Sequence, residues 1–205
     1  MTPGVCSICR HSPPPLTAIR SATEFQDPIR EAIHRLKYRG CRDLAMPLAQ
    51  LMYDRWPPDW GDVDLLAPVP LHPDRERARG YNQAALLARE LANRLAVPLA
   101  THLLERVRAT RPQVELSAQE RRENVRGAFI VPRPEEARGA VVVLIDDVAT
   151  TAATLSACAD ALWAAGVADV RAFTLARAAW SPNVDTSHKA SSSAVDRRSH
   201  LMDRL

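Results

Sequence analysis

The chain has 205 residues, 46% of them hydrophobic, enough for one substantial core with a small appendage. Its net charge of +3 is too small to mark a direct nucleic-acid binder, and no apolar run reaches the roughly eighteen residues a membrane span needs. The N-terminus carries Pro and Cys in place of a basic-then-apolar leader, so the expected setting is cytoplasmic, with reduced thiols.

Residues 1–24 are Pro-rich with little periodicity and hold Cys6 and Cys9 in a C-x-x-C. Cys41 and Cys158 stand alone and read as small buried thiols. From Asp27 the pattern turns helical. Asp27 can cap, Pro28 suits the first helical position, and Ile29, Ile33 and Leu36 share a face. Gly40 ends that helix, and a second is expected over about Arg42–Tyr53, before "WPPDWGD" breaks the pattern. "DLLAPVPL" (Asp64–Leu71) is an apolar run between breakers, hence a buried strand. "HPDRERARGYN" reads as a polar, Arg-rich loop. A helix follows from about Gln83 to Leu95, with Leu86, Leu87, Leu91 and Leu95 on its apolar side, and Pro98 stops it.

Ser117 and Glu120 make a capping box that opens a short helix, and Ala128–Val131 reads as a strand. Val141–Ile145 is a strand, Ala153–Ala165 a helix ended by Gly166, and "DVRAFTLARA" a last strand. Residues 179–205 are Ser-rich and polar and read as a disordered tail. Strands alternating with helices imply an α/β domain, a mostly parallel sheet with helices on both faces.

The strand from Val141 runs into Asp146 and Asp147, followed by Ala149, Thr150, Thr151, Ala152, Ala153 and Thr154. In an open parallel sheet, ligands bind beyond the carboxyl ends of the strands. Two like charges there need a positive or hydrogen-donating partner: a vicinal diol, or a hydrated Mg²⁺. The turn after them opens a helix, whose first N–H groups favour an anion, and the threonines add hydroxyl donors. Together these describe a ribose 5-phosphate pocket. The plainer alternative is that one Asp and the threonines only cap the helix. A Walker B strand also ends in acids, but no G-x-x-x-x-G-K-[ST] accompanies this one.

"VVLIDDVATTAAT" (Val142–Thr154) resembles the PRPP-binding motif of type I phosphoribosyltransferases. The wider chain resembles the ComF family of phosphoribosyltransferase-like proteins, linked to DNA uptake in competent bacteria. "LKYRG" (Leu36–Gly40), "PVPLH" (Pro68–His72), "RGYNQA" (Arg79–Ala84), "RATRPQ" (Arg108–Gln113), "R-x-x-N-x-x-GAF" (Arg121–Phe129) and "LIDDVATT" match its pattern in order, over about residues 5–178.

The resemblance implies a type I phosphoribosyltransferase-like domain over 25–178, between the 1–24 segment and the 179–205 tail. Asp146 and Asp147 would hold the ribose hydroxyls, and Ala149–Thr154 the 5-phosphate. The loop after Pro70, with Arg75, Arg77 and Arg79, would lie at the pyrophosphate. Arg108, Arg111 and Gln113 would fall in a flexible loop over the site. Mg²⁺ would accompany PRPP, and a homodimer is open. No catalytic residue is assigned.

Family members usually carry an N-terminal four-cysteine zinc module, of which only "CSIC" remains here. Zinc wants four ligands and Cys6 with Cys9 gives two. His11, Cys41 or a second chain could supply the rest; the lone pair favours a relic with free thiols. Another departure is Ala152, where the family's loop usually has Gly, and an alanine methyl there could narrow the phosphate cradle. Two functions stay open: an enzyme releasing pyrophosphate from PRPP, and a non-catalytic accessory acting through protein partners in DNA uptake.

Overall fold

The computed structural model describes residues 14–109 and 118–178. The expectations placed on Cys6, Cys9, His11, Arg111, Gln113, Ser117 and the 179–205 tail lie outside the described residues. In chain order the first elements are β1 (Ala18–Glu24), α1 (Ile29–Tyr38), α2 (Ala45–Tyr53), β2 (Leu65–Pro68), α3 (Pro73–Arg79) and α4 (Gln83–Leu95). Then come β3 (Glu105–Arg106), α5 (Ala118–Val125), β4 (Phe129–Ile130), β5 (Val141–Ala149), α6 (Ala153–Ala164) and β6 (Asp169–Arg177).

Four strands form one parallel sheet in the order β1-β6-β5-β2. The central pair, β5 and β6, is richest in buried Val, Leu, Ile and Phe, as a strand covered on both faces requires. Alternation divides its side chains. Val142 and Leu144 pack with Leu155, Ala159 and Leu162 of α6. Val143 and Ile145 pack on the other face with Ile33 and Leu36 of α1, Met52 of α2, and Leu87 and Leu91 of α4. Each such fully buried aliphatic side chain contributes about 1.5–3 kcal/mol. Phe173 extends this second core edge-on into Trp56 at 5.2 Å and Trp60 at 6.0 Å.

The register positions the site. β2 accompanies β5 only as far as Pro68 opposite Ile145, and Val69 N–H closes the ladder on the Ile145 carbonyl at 2.9 Å. β6 stays with β5 to Ala149 opposite Arg177. Past Ile145, therefore, one flank of β5 is open. A short antiparallel ribbon, β3 with β4, makes a separate two-stranded sheet.

Several expectations need correction. The sheet begins at Ala18, so a boundary after residue 24 would cut off β1. This edge strand buries only Ala22 and shows no apolar alternation to read. The stretch after His72 is a helix, α3, and not a loop. Its start and stop signals are all there: His72 Nδ1 accepts from Asp74 N–H at 3.3 Å, Pro73 follows, and Gly80 ends it at φ 81°. It buries no residue, so no hydrophobic periodicity announced it.

Pro28, not Asp27, stands at the cap of α1, and Asp27 pairs with Arg30. Arg42–Leu44 is a 3₁₀ turn ahead of α2. β5 runs through both acids to Ala149, four residues past the expected end at Ile145. Cys158 is buried as expected, but Cys41 is only half-buried.

Candidate functional site

Asp146 and Asp147 lie in β5 where β2 has already left. Successive strand residues leave β5 on opposite faces, yet the two carboxyl groups stay within hydrogen-bond reach of each other. Asp147 is 3% exposed and turns toward α1 and α4. There it forms an ion pair with Lys37, from the last turn of α1, and a hydrogen bond with the Gln83 side chain, from the first turn of α4. Burial alone would raise the Asp147 pKa, but the Lys37 charge together with the hydrogen bonds of Lys37, Asp146 and Gln83 holds the carboxyl below its ordinary value. Burial alone would lower the pKa of Lys37, and the charge of Asp147 keeps it raised. Both groups are therefore charged at neutral pH.

Gln83 is a relay. Its amide donates to Asp147 while its Oε1 accepts from the Arg79 guanidinium, which in turn lies 5.4 Å from the Tyr38 ring centroid. The surrounding residues hold it in place. Asn82 caps α4 by accepting from Ala84 N–H at 2.9 Å and donates to the Val69 carbonyl at 2.9 Å. The Tyr81 hydroxyl donates to the Leu36 carbonyl. Arg42 stacks 4.5 Å from the Tyr81 ring centroid and donates to the Gly80 carbonyl at 3.1 Å. Gly80 has φ 81°, which favours glycine, and a Cβ there would press on that guanidinium at 3.2 Å. The "LKYRG" and "RGYNQA" motifs thus form one platform beneath Asp147.

Asp146 is different. It is half-buried and faces the other side, where its charge acts on Cys158 of α6 and Arg106 of β3. Its Oδ1 accepts from Asp147 N–H at 2.8 Å. Burial and then repulsion from Asp147 push its pKa well above the ordinary value. Of the two acids, Asp146 is the half-buried one and Asp147 the buried one.

Thr150, Thr151 and Ala152 carry the chain from β5 into α6. Ala152 is left-handed, at φ 57° and ψ 11°. The residue at its cap, Ala152, makes no side-chain capping hydrogen bond to α6. Thr151 Oγ1 is buried with no hydrogen-bond partner, and Thr150 is exposed. The flanks of the expected phosphate stretch serve the fold: Ala149 and Ala153 are buried in the core, at 2% and 4% exposure.

The three arginines of α3 separate. Arg75 is half-buried, and its charge reaches Arg106. Arg77 is exposed and pairs with Asp74. Arg79 is committed to Gln83. Arg108, expected in a covering loop, donates to the Asn124 carbonyl at 3.2 Å and the Arg126 carbonyl at 2.6 Å, tying itself to the end of α5. Arg106, 7% exposed with its guanidinium 5.4 Å from the Phe129 ring centroid, takes a place near Asp146 that the sequence did not suggest. Lys37 and Gln83 were not singled out either. One signal was available for Lys37: it is one of two lysines among 27 basic residues.

Residues 82–196 match the phosphoribosyl transferase domain. The chain belongs to the phosphoribosyl transferase domain family, within the ComF group. DNA utilization protein YhgH of Salmonella typhi is 33% identical over 177 residues, covering 84% of this chain and 77% of that protein. Competence protein F of Haemophilus influenzae is 31% identical over 179 residues, covering 84% and 78%. Competence protein ComFC of Bacillus subtilis is 31% identical over 160 residues, covering 77% and 63%. Among solved structures, the glutamine PRPP amidotransferase of Bacillus subtilis complexed with ADP and GMP aligns at TM-score 0.40 and 19% identity, over 65% of this chain and 25% of that one. Among the described residues no helix is long and apolar enough to cross a membrane.

Proposed function

We propose that the chain binds PRPP, or a related ribose 5-phosphate, at the open flank of β5. The observation that carries this reading is the buried Thr151 hydroxyl without a partner, beside the uncapped start of α6. A buried hydroxyl left unpaired costs about 1–3 kcal/mol, which a phosphate oxygen would recover. The same helix start favours an anion by its dipole. Asp146 stands ready for a ribose hydroxyl, and Asp147 holds the strand end in position through Lys37 and Gln83. Arg106 feels the charges of both Asp146 and Arg75, and this pair of guanidinium groups is the one we assign to a pyrophosphate.

Mg²⁺ fits this site only as a companion of the ligand. Among the described residues no three His, Cys, Asp or Glu gather into a metal cage, and Asp147 is already engaged. Magnesium is commonly held by one or two carboxylates plus substrate phosphates, and Asp146 supplies the one. When bound, the ion would neutralise charge on departing pyrophosphate.

A non-catalytic reading has its own support in Ala152, whose methyl stands in a left-handed turn at the phosphate loop. The names of the relatives also point to DNA use and competence. On that reading the protein senses a ribose phosphate and acts through partners in the cytoplasm. A pyrophosphate-release assay with PRPP, Mg²⁺ and a panel of nucleobases separates the two. Turnover establishes the enzyme. Calorimetric PRPP binding with no turnover establishes the sensor, and no binding of either PRPP or ribose 5-phosphate overturns both.

A further inference from the structure

We infer that Lys37 is the resident cation of the acid pair, so that a ribose 5-phosphate group binds at Asp146 without a divalent metal ion. This rests on the ribose-phosphate reading. Two carboxylates on neighbouring residues repel, and here one is almost fully enclosed. The fold answers with a charge of its own. The Lys37 ammonium pairs with Asp147 Oδ2, the two side chains being 22% and 4% exposed. Gln83 supplies a second donor to the same carboxylate. With Lys37 beside it, a fully ionised acid pair sums to −1, where the pair alone would present −2. Asp147 thus has a cation beside it before any ligand or ion arrives, and the remaining carboxylate can accept hydroxyl hydrogens directly.

The choice of residue agrees with this. The chain uses arginine almost everywhere, yet this position holds one of its two lysines. A compact ammonium on a thin stem can enter beside a buried strand end, where a broad planar guanidinium needs room for several acceptors. A metal ion still travels with pyrophosphate when the ligand has one. The ribose 5-phosphate half does not require it.

The test is calorimetry with ribose 5-phosphate, in EDTA and in Mg²⁺, on the natural protein and on Lys37→Met. Methionine keeps the length of the stem and removes the charge. The natural protein should bind with dissociation constants that agree within about twofold in the two conditions. Lys37→Met should bind roughly tenfold more weakly in EDTA and regain affinity in Mg²⁺. Electron paramagnetic resonance with Mn²⁺ gives a readout free of ribose phosphate: the ligand-free variant should take up Mn²⁺ more tightly than the natural protein.

Binding by the natural protein only in Mg²⁺ overturns the inference and leaves the ribose-phosphate reading standing. Equal affinity of the variant and the natural protein in EDTA also overturns it. No binding in either condition removes both. Circular dichroism reports whether Lys37→Met folds. If it does not, the EDTA and Mg²⁺ comparison on the natural protein decides alone.

Discussion

Lys37 and Asp147 meet inside the fold as an ion pair, one from the last turn of α1 and the other from β5. Such a pair is costly to break by halves, because the survivor is left charged and enclosed. Lys37→Ala should lower stability by about 3 kcal/mol, and Asp147→Ala by a similar amount. The double change Lys37→Met with Asp147→Leu should recover most of the loss. Urea denaturation of the four proteins checks this through the midpoints. Equal losses that simply add in the double variant would mean the two groups act independently.

Asp146 should behave in the opposite way. Burial, then the charge of Asp147, hold its pKa well above the ordinary aspartate value. A raised folded pKa gives stability that is complete below the unfolded value, about 3.9, and is lost as pH rises through the folded value. Asparagine cannot ionise and does not incur that loss. Asp146→Asn should therefore match the natural protein near pH 4 and exceed it at neutral pH, while its affinity for ribose 5-phosphate falls. Thermal melts across pH, with calorimetry at pH 7, measure both. A variant that is less stable at pH 7 would show that the ionised carboxylate supports the fold.

Ala152 and Ala96 are the two non-glycine residues with positive φ among those described, at 57° and 55°. An L side chain in this region costs about 1 kcal/mol, and glycine relieves it with some loss to added flexibility. Both Ala→Gly changes should raise the melting temperature slightly. Only Ala152→Gly should tighten PRPP binding, by roughly fivefold for 1 kcal/mol. Ala96 ends α4 and serves as the control. Equal PRPP affinity in Ala152→Gly and the natural protein would show that the methyl does not obstruct.

The second core depends on Phe173, which is fully buried and meets Trp56 and Trp60 edge-on. Phe173→Ala should cost about 3–5 kcal/mol. Chemical denaturation gives the value, and a loss under 1.5 kcal/mol would mean the tryptophans close the gap.

These residues also show which parts of the molecule could be read early. The helix from Gln83 to Leu95 was legible, because Leu87 and Leu91 repeat at helical spacing and Pro98 follows. Both central strands were legible as apolar runs. α3 was hidden because it is polar on every side, and β1 because an edge strand with one buried residue carries no alternation. The acids were visible as a pair, but their division of labour was not. Strand alternation predicts that neighbours diverge, yet which neighbour is engaged depends on α1 and α4, brought there by the topology. Lys37 acquires its meaning only once the chain has folded across the sheet. Arg79, which the resemblance places at a pyrophosphate, donates to the Gln83 side-chain oxygen, a partner that the topology also brings to it.

The sheet order has a consequence for biosynthesis. β5 and β6, at its centre, are the last strands to leave the ribosome, while their partners β2 and β1 are made far earlier. Until residue 177 has emerged, β1 has no complete neighbour, and the apolar faces of α1, α2 and α4 lack the strand they cover. Parallel pairing between such distant segments is slow, because loop closure comes before any contact rewards it. The nascent chain therefore carries its sticky helices uncovered for most of its synthesis, which makes it a natural client for chaperones that shield apolar surface. The candidate site, whose parts come from β3, β5 and the start of α6, exists only after this late closure.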